Sequence, residues 1–262
     1  MPLVRHAMLA YARHLLTAGN RYDVHSPFVY RLITDVLRRK TMPGVHSDLE
    51  ALRGEMESRT DSIQVTDFGA GSHQLRGTER EVASIARTSL KPRRQAAQLA
   101  GIAHYFEPQT VVELGTSLGI TTLYLARAAP MAQVHTLEGC PNIAAIAAGN
   151  FARMGAGNIE LHTGPFTQQL PQVLARIDRL DLAFIDGHHS AAPTLDYFGQ
   201  CLAKAHEGSV FILDDIHWSA DMEHAWTLVQ EHPKVVITID LFHFGLVFFR
   251  NGQQREHFKL RY

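Results

Sequence analysis

The chain has 262 residues, 45% of them hydrophobic and 19% charged, enough to bury a full core and too apolar for a disordered chain. Lys plus Arg number 25 against 26 Asp plus Glu, so no overall field points to nucleic acid or an anionic membrane as partner. The two cysteines, Cys140 and Cys201, exclude a disulfide scaffold or a cysteine-built zinc centre and fit a reducing, cytoplasmic setting.

The first stretch, "MPLVRHAMLAYARHLLTAGN", is broken by Arg5, His6 and Arg13 and so lacks the apolar block of a secretory signal. It has no acid before Asp23, as a transit peptide would, but it leads directly into further helical pattern. No apolar run in the chain is long enough to span a bilayer. Val4, Met8, Tyr11 and Leu15 are spaced to share one helix face, and "SPFVYRLITDVLRR" makes a second amphipathic run. Ser26 followed by Pro27 is a helix start, cap then first-turn proline. Tyr22, His25, Phe28 and Tyr30 cluster in the sequence, either to roof an acceptor pocket or to pack a helix.

"VTDFGAGSH", residues 65–73, reads as a strand entering a glycine turn, and "TEREVASIARTSLKPRRQAAQLAGIAHYF" reads as helix interrupted by Pro92. From residue 110 short apolar runs alternate with helical stretches: "TVVEL", "QVHTL", "IELH", "LDLAFID", "SVFILDD", "KVVITIDLF" and "LVFFR" are the strands. That cadence predicts an α/β fold with a seven-stranded, mostly parallel sheet covered on both faces. Only His243, Phe244 and Gly245 separate the last two strands, so they should form an antiparallel hairpin. The expected division is a helical N-terminal extension over 1–100 and the sheet domain over 101–262.

Two glycine loops compete for a nucleotide-type ligand. Such a ligand needs a helix N-terminus for its polar end and an acid after the next strand for its ribose. "VVELGTSLG", residues 111–119, meets the demand, with Glu138 about twenty residues beyond Gly119. The loop at Asp67, Gly69 and Gly71 does not, since a basic helical run and no second strand follows, and it is expected to be a structural turn or an edge of the acceptor pocket. Gly115 and Gly119 are not spaced as in the dinucleotide fingerprint, and Glu113 precedes them, so an oxidoreductase is disfavoured.

"VVELGTSLGITTLYLA" resembles the first motif of class I S-adenosylmethionine-dependent methyltransferases. The resemblance implies a Rossmann-like fold in which Glu113, Gly115, Thr116, Ser117 and Gly119 receive the methionine end of the cofactor and Glu138 the ribose. It also implies, more weakly, adenine contacts from "HTGPF", at Gly164, Pro165 and Phe166.

Ligands of open parallel sheets lie beyond the carboxyl ends of the strands. Two strand ends here carry concentrated polar chemistry, "IDGHHS" with Asp186, His188 and His189, and "LDDIHW" with Asp214, Asp215, His217 and Trp218. Three carboxylates so delivered suit a hard cation such as Mg²⁺, Ca²⁺ or Mn²⁺, although Asp186 or Asp215 could instead cap a helix. These segments are similar to the metal-dependent O-methyltransferases of the catechol and caffeoyl-coenzyme A type, which implies Asp186, Asp214 and Asp215 as metal ligands. Asp215 stands where that family has asparagine, and His189 where it has lysine. The "IDG-x-H" form resembles sugar and macrolide O-methyltransferases, where the histidine is the general base. His188 and His217 are expected to be packing or hydrogen-bonding residues.

The expected activity is therefore transfer of methyl from S-adenosylmethionine to a hydroxyl of a small molecule, assisted by a divalent metal, in a homodimer. Two alternatives stay open: a metal-independent enzyme with His189 or Asp186 as direct base, and a catalytically silent cofactor-binding protein. Nucleic acid is not the expected acceptor, because "IDGHHS" stands where nitrogen-methylating relatives carry an Asn-Pro-Pro-Tyr type motif.

Overall fold

The structure is a computed structural model that describes residues 2–38, 47–66 and 78–261. Asp67, Gly69 and Gly71 lie outside the described residues. The elements, in chain order, are α1 (Pro2–Thr17), α2 (Pro27–Leu32) running into a π-helical turn (Ile33–Leu37), α3 (Ser47–Ser58), β1 (Ser62–Val65) and β2 (Thr78–Glu81). They continue with α4 (Val82–Ser89), α5 (Arg93–Phe106), β3 (Thr110–Leu114), α6 (Ile120–Ala128), β4 (Gln133–Glu138), α7 (Pro141–Arg153), β5 (Ile159–Thr163) and α8 (Phe166–Arg176). The last third holds β6 (Leu182–Ile185), α9 (Ala191–Leu202), β7 (Val210–Asp214), α10 (Ala220–Glu231), β8 (Ile237–Asp240), β9 (Phe244–Phe248) and β10 (Glu256–Lys259).

The chain divides into two compact units, one of Met1–Arg39 with Ile177–Tyr262 and one of Lys40–Arg176. In the contiguous unit the strands run in the order β3-β4-β5, all parallel, with Val112 opposite His135 and Leu137 opposite His162. Val111, Val112 and Leu114 of β3 and Leu123, Tyr124 and Leu125 of α6 are all fully buried. A helix this apolar on every side forms because it is covered on every side. Tyr124 reaches out of that core to donate its hydroxyl proton to Glu50, and burial, then Glu50, pushes the phenol up to about 12. Separate from these strands, β1 and β2 pair antiparallel, Ser62 opposite Glu81. The expectation of helix from Thr78 onward is thus corrected, since Thr78–Glu81 is extended and the helix begins at Val82. Pairing with "SIQV" overrides the helical preference of the two glutamates.

The other unit holds the order β10-β8-β9-β7-β6, with β6 and β7 parallel and β9 antiparallel to both β7 and β8. The expected hairpin forms, with Ile237 opposite Phe248, and its turn is Leu241, Phe242 and His243. Gly245 of β9 admits the Trp226 ring of α10, which a Cβ there would meet at 2.5 Å. The two runs hold three and five strands, eight among the described residues and not the expected seven, because "EHFK" adds parallel to β8. Ser26 caps α2 by accepting from the Val29 amide, and Pro27 fills its first turn.

Helix α1 presents a face other than the expected one. Ala10, His14 and Ala18 are buried, while Met8, Tyr11 and Leu15 are exposed. The face is chosen by His14, whose ring lies against the Leu260 carbonyl and Asp240, partners available only inside. No described helix is long and apolar enough to cross a membrane.

Between β4 and β5, His135 Nδ1 lies 3.2 Å from His162 Nε2, a contact that holds one proton. Burial lowers both imidazoles, with Glu160 opposing in each case. A depressed histidine contributes stability above its unfolded pKa of about 6.5, and that stability is lost as pH falls through the folded value. Urea unfolding between pH 7 and pH 5 should therefore show stability falling by up to about 1.4 kcal/mol per pH unit for each proton taken up only by the unfolded chain. His162→Gln should flatten that slope.

Candidate active site

The first group of candidate residues lies entirely within Lys40–Arg176. Glu113 is the fourth residue of β3 and is fully buried, so its carboxylate depends on internal donors. Its Oε2 accepts from the hydroxyls of Thr122 on α6 and Thr136 on β4. Because Thr136 uses its proton on Glu113, Thr116 donates to Thr136, 2.6 Å away. The amides of Gly115 and Thr116 both donate to the Leu137 carbonyl, 3.0 and 3.1 Å away. The loop is thereby folded over the end of β4.

Ser117 has φ +50, and its amide donates to Glu138 Oε2 at 2.8 Å. Its Oγ is buried and has no hydrogen-bond partner among the described residues, which marks a place for a polar ligand atom. Gly119, with φ +82, opens α6; a Cβ there would stand 2.5 Å from the Phe151 ring. Glu138 braces two amides at once, Ser117 through Oε2 and Cys140 through Oε1. Burial raises this carboxyl, and the amides of Cys140 and Ser117 oppose the rise. Gly164, at φ +136, donates its amide to the Glu138 carbonyl, and Phe166 opens α8. Cys140 Sγ also accepts from the Thr66 amide at 3.4 Å.

The second group lies in the unit that holds Ile177–Tyr262. Asp186 follows β6 and Asp214 ends β7, and with His189 they offer ligand atoms all within 4.8 Å of one another. His189 is 39% exposed on its side chain, with Nε2 at 4.0 Å from Asp186 and Nδ1 at 3.7 Å from Asp215. Positive φ at His188, His189 and Asp215 bends both turns so that these side chains converge. Asp215 thus stands beside His189, outside the three-residue group. Trp218 is exposed, its ring 6.0 Å from that of His189, while His188 lies against Tyr197. His217 points elsewhere, into contacts with Glu223 and Asp240. Phe28 packs edge-on against Phe248, whereas Tyr22, His25 and Tyr30 are exposed.

Thr122 and Thr136 escaped the sequence reading. Their signal was there, a hydroxyl in an otherwise apolar helix and another mid-strand beside a buried acid, but it needs the strand pairing of β3 and β4 to be seen.

The order of strands and helices, with a glycine loop after the first central strand and an acid after the next, defines the class I methyltransferase fold. Residues 112–216 match a family described as "Methyltransferase domain". In fold and in this segment the chain is similar to the class I S-adenosylmethionine-dependent methyltransferases. It is 30% identical over 118 residues to a catechol O-methyltransferase from Niastella koreensis, 44% of this chain and 52% of that protein, so the match spans about half of that relative. It is 29% identical over 164 residues to a catechol O-methyltransferase from Mycobacterium tuberculosis, 62% of this chain and 71% of that one. Among solved structures it resembles the O-methyltransferase TomG from Streptomyces achromogenes, bound to S-adenosylmethionine, with a TM-score of 0.55, 21% identity and coverage of 62% and 82%.

The buried hydroxyl network should be measurable on its own. Thr122→Val leaves Glu113 short of a donor and should lower the free energy of unfolding by about 1–3 kcal/mol in denaturant titrations, with Thr122→Ser near the parent. Gly119→Ala combines a ring clash with a left-handed backbone and should lose at least about 2 kcal/mol.

Proposed function

We propose that the chain transfers a methyl group from S-adenosylmethionine to a hydroxyl oxygen of a small molecule, with a divalent cation at the second group of residues. The observation that carries the proposal is the convergence of Asp186, His189 and Asp214 at the ends of β6 and β7. The name shared by the two curated relatives, catechol O-methyltransferase, supports a hydroxyl acceptor.

The residues of the glycine loop suit the cofactor. Ser117 Oγ is a buried hydroxyl open to a ligand atom, and Glu138 keeps lone pairs beyond the two amides it accepts. Glu113, held by its two threonines, shapes the loop and gives the methionine end a negative neighbourhood. Gly164 and Phe166 are assigned to the adenine side. When bound, the cofactor supplies a methyl on a sulfonium whose departure as a thioether needs no acid.

Asp186, Asp214 and Asp215 would provide the carboxylate oxygens that a hard cation prefers, with the His189 imidazole left unbound beside them. A cation there lowers the pKa of a coordinated hydroxyl. His189, flanked by Asp186 and Asp215, would take the proton of the acceptor hydroxyl, and the exposed Trp218 ring would offer a wall for a flat acceptor. In this assignment residues 101–262 carry the transfer and residues 1–100 are a helical extension.

Catechol with S-adenosylmethionine is the assay that tests this. Turnover should vanish with a chelator and return with Mg²⁺, and Asp214→Asn should lose about 100-fold or more in kcat/KM with cofactor affinity kept. Glu138→Ala should instead weaken cofactor binding by calorimetry. Turnover indifferent to chelator would leave His189 as a direct base, and tight cofactor binding without turnover across hydroxyl acceptors would favour a silent binding protein.

A further inference from the structure

A second cluster, unused by the chemistry above, lies wholly within the unit of Met1–Arg39 and Ile177–Tyr262. His14 of α1, His217 after β7 and Asp240 at the end of β8 offer ligand atoms within 4.8 Å of one another. His217 Nε2 is 2.9 Å from Asp240 Oδ2, and His14 Nδ1 is 3.4 Å from Asp240 Oδ1.

The far nitrogen of each ring is held by an acceptor outside the cluster. His14 Nε2 lies 3.2 Å from the Leu260 carbonyl, which only accepts, so it carries the proton and leaves a lone pair on Nδ1. That Nδ1 is buried on a side chain 4% exposed and has no hydrogen-bond partner among the described residues. His217 Nδ1 lies 2.8 Å from Glu223 Oε1 and its Nε2 2.9 Å from Asp240 Oδ2, so each nitrogen donates to a carboxylate and a cation at the cluster displaces the Nε2 proton. Glu223 is itself steadied by His6 and Arg13, at 3.6 and 3.9 Å. The His14 lone pair and the Asp240 carboxylate thus face the place that the His217 Nε2 proton holds, and a cation there satisfies all three groups.

We propose that His14, His217 and Asp240 bind Zn²⁺ as a three-ligand site, with the Glu223 carboxylate and the Leu260 carbonyl orienting the two imidazoles from outside. Ligand atoms around a tetrahedral zinc at bond lengths of about 2.0–2.1 Å stand about 3.3 Å apart, and the 2.9 and 3.4 Å contacts need only a few tenths of an ångström of adjustment. Two imidazoles and one carboxylate form a ligand set that zinc favours, and a carboxylate or carbonyl on the far ring nitrogen is its usual support. A cavity of about 390 Å³, lined by Arg13, His217, Glu223, Asp240, His257 and Lys259, leaves room for a water as fourth ligand. Lys259 Nζ, 3.9 Å from Asp240 Oδ2, competes for the same oxygen and must yield it. The ion would pin α1 to the end of β8.

The test uses the full chain, stripped of metal and kept in excess Mg²⁺ so that the Asp186 and Asp214 group is occupied by a hard ion. Zinc is titrated in against a chromophoric chelator. One zinc per chain should bind, and His14→Gln and Asp240→Asn should each weaken it at least about tenfold, while Asp214→Asn and His162→Gln leave it unchanged. Cobalt in the unmutated chain should give the intense visible bands of a four-coordinate, nitrogen-bound ion, which reads the site even if a variant fails to fold. No retained zinc, a pale six-coordinate cobalt spectrum, or loss of zinc in Asp214→Asn or His162→Gln instead would overturn the proposal. Failure of the methyl-transfer assay would leave it standing, since no readout here depends on turnover.

Discussion

A carboxylate cannot be left alone in an apolar core, and Glu113 makes that constraint central. Its two hydroxyl partners come from α6 and β4, so the acid ties together three elements that are separate in the chain. The glycine loop then has little freedom. Thr116 follows Thr136, both neighbouring amides turn onto Leu137, and Ser117 is pressed into a left-handed conformation that aims its amide at Glu138. The shape offered to a ligand follows from satisfying one buried charge.

How much of this was legible in the sequence depended on range. The alternation of strands and helices after residue 110, the cap at Ser26, the closing hairpin and the position of Glu138 are all local patterns, and they stand in the structure. Helix α1 misled because its apolar side chains lie outward, the buried stripe being set by a polar contact between His14 and residues more than two hundred positions away. "TERE" and "EHFK" carry no apolar run, and only their strand partners make them extended. At the candidate site the residue types were readable from spacing, but the grouping of His189 with Asp186 and Asp214 depends on three left-handed residues that no spacing announces.

The polar chemistry is divided by hardness. Carboxylates dominate the group at the ends of β6 and β7, whereas imidazoles dominate both the His14 and His217 cluster and the His135 and His162 pair. A chain with 16 histidines and two buried cysteines has its soft-to-borderline ligand capacity almost wholly in imidazole. Burial pushes the Cys201 thiol up to about 12, so it takes no part in such chemistry.

The interleaving of the two units has a consequence for synthesis. Lys40–Arg176 is a continuous segment, so all of it has been synthesised once residue 176 is made. The other unit closes on itself through the two ends of the chain. Gly19 donates to Lys259 and accepts from Arg261, and His14 rests on Leu260. Helix α1 must therefore wait for β10 before its buried face is covered, and translation delays between them fall on α1 and not on the glycine loop.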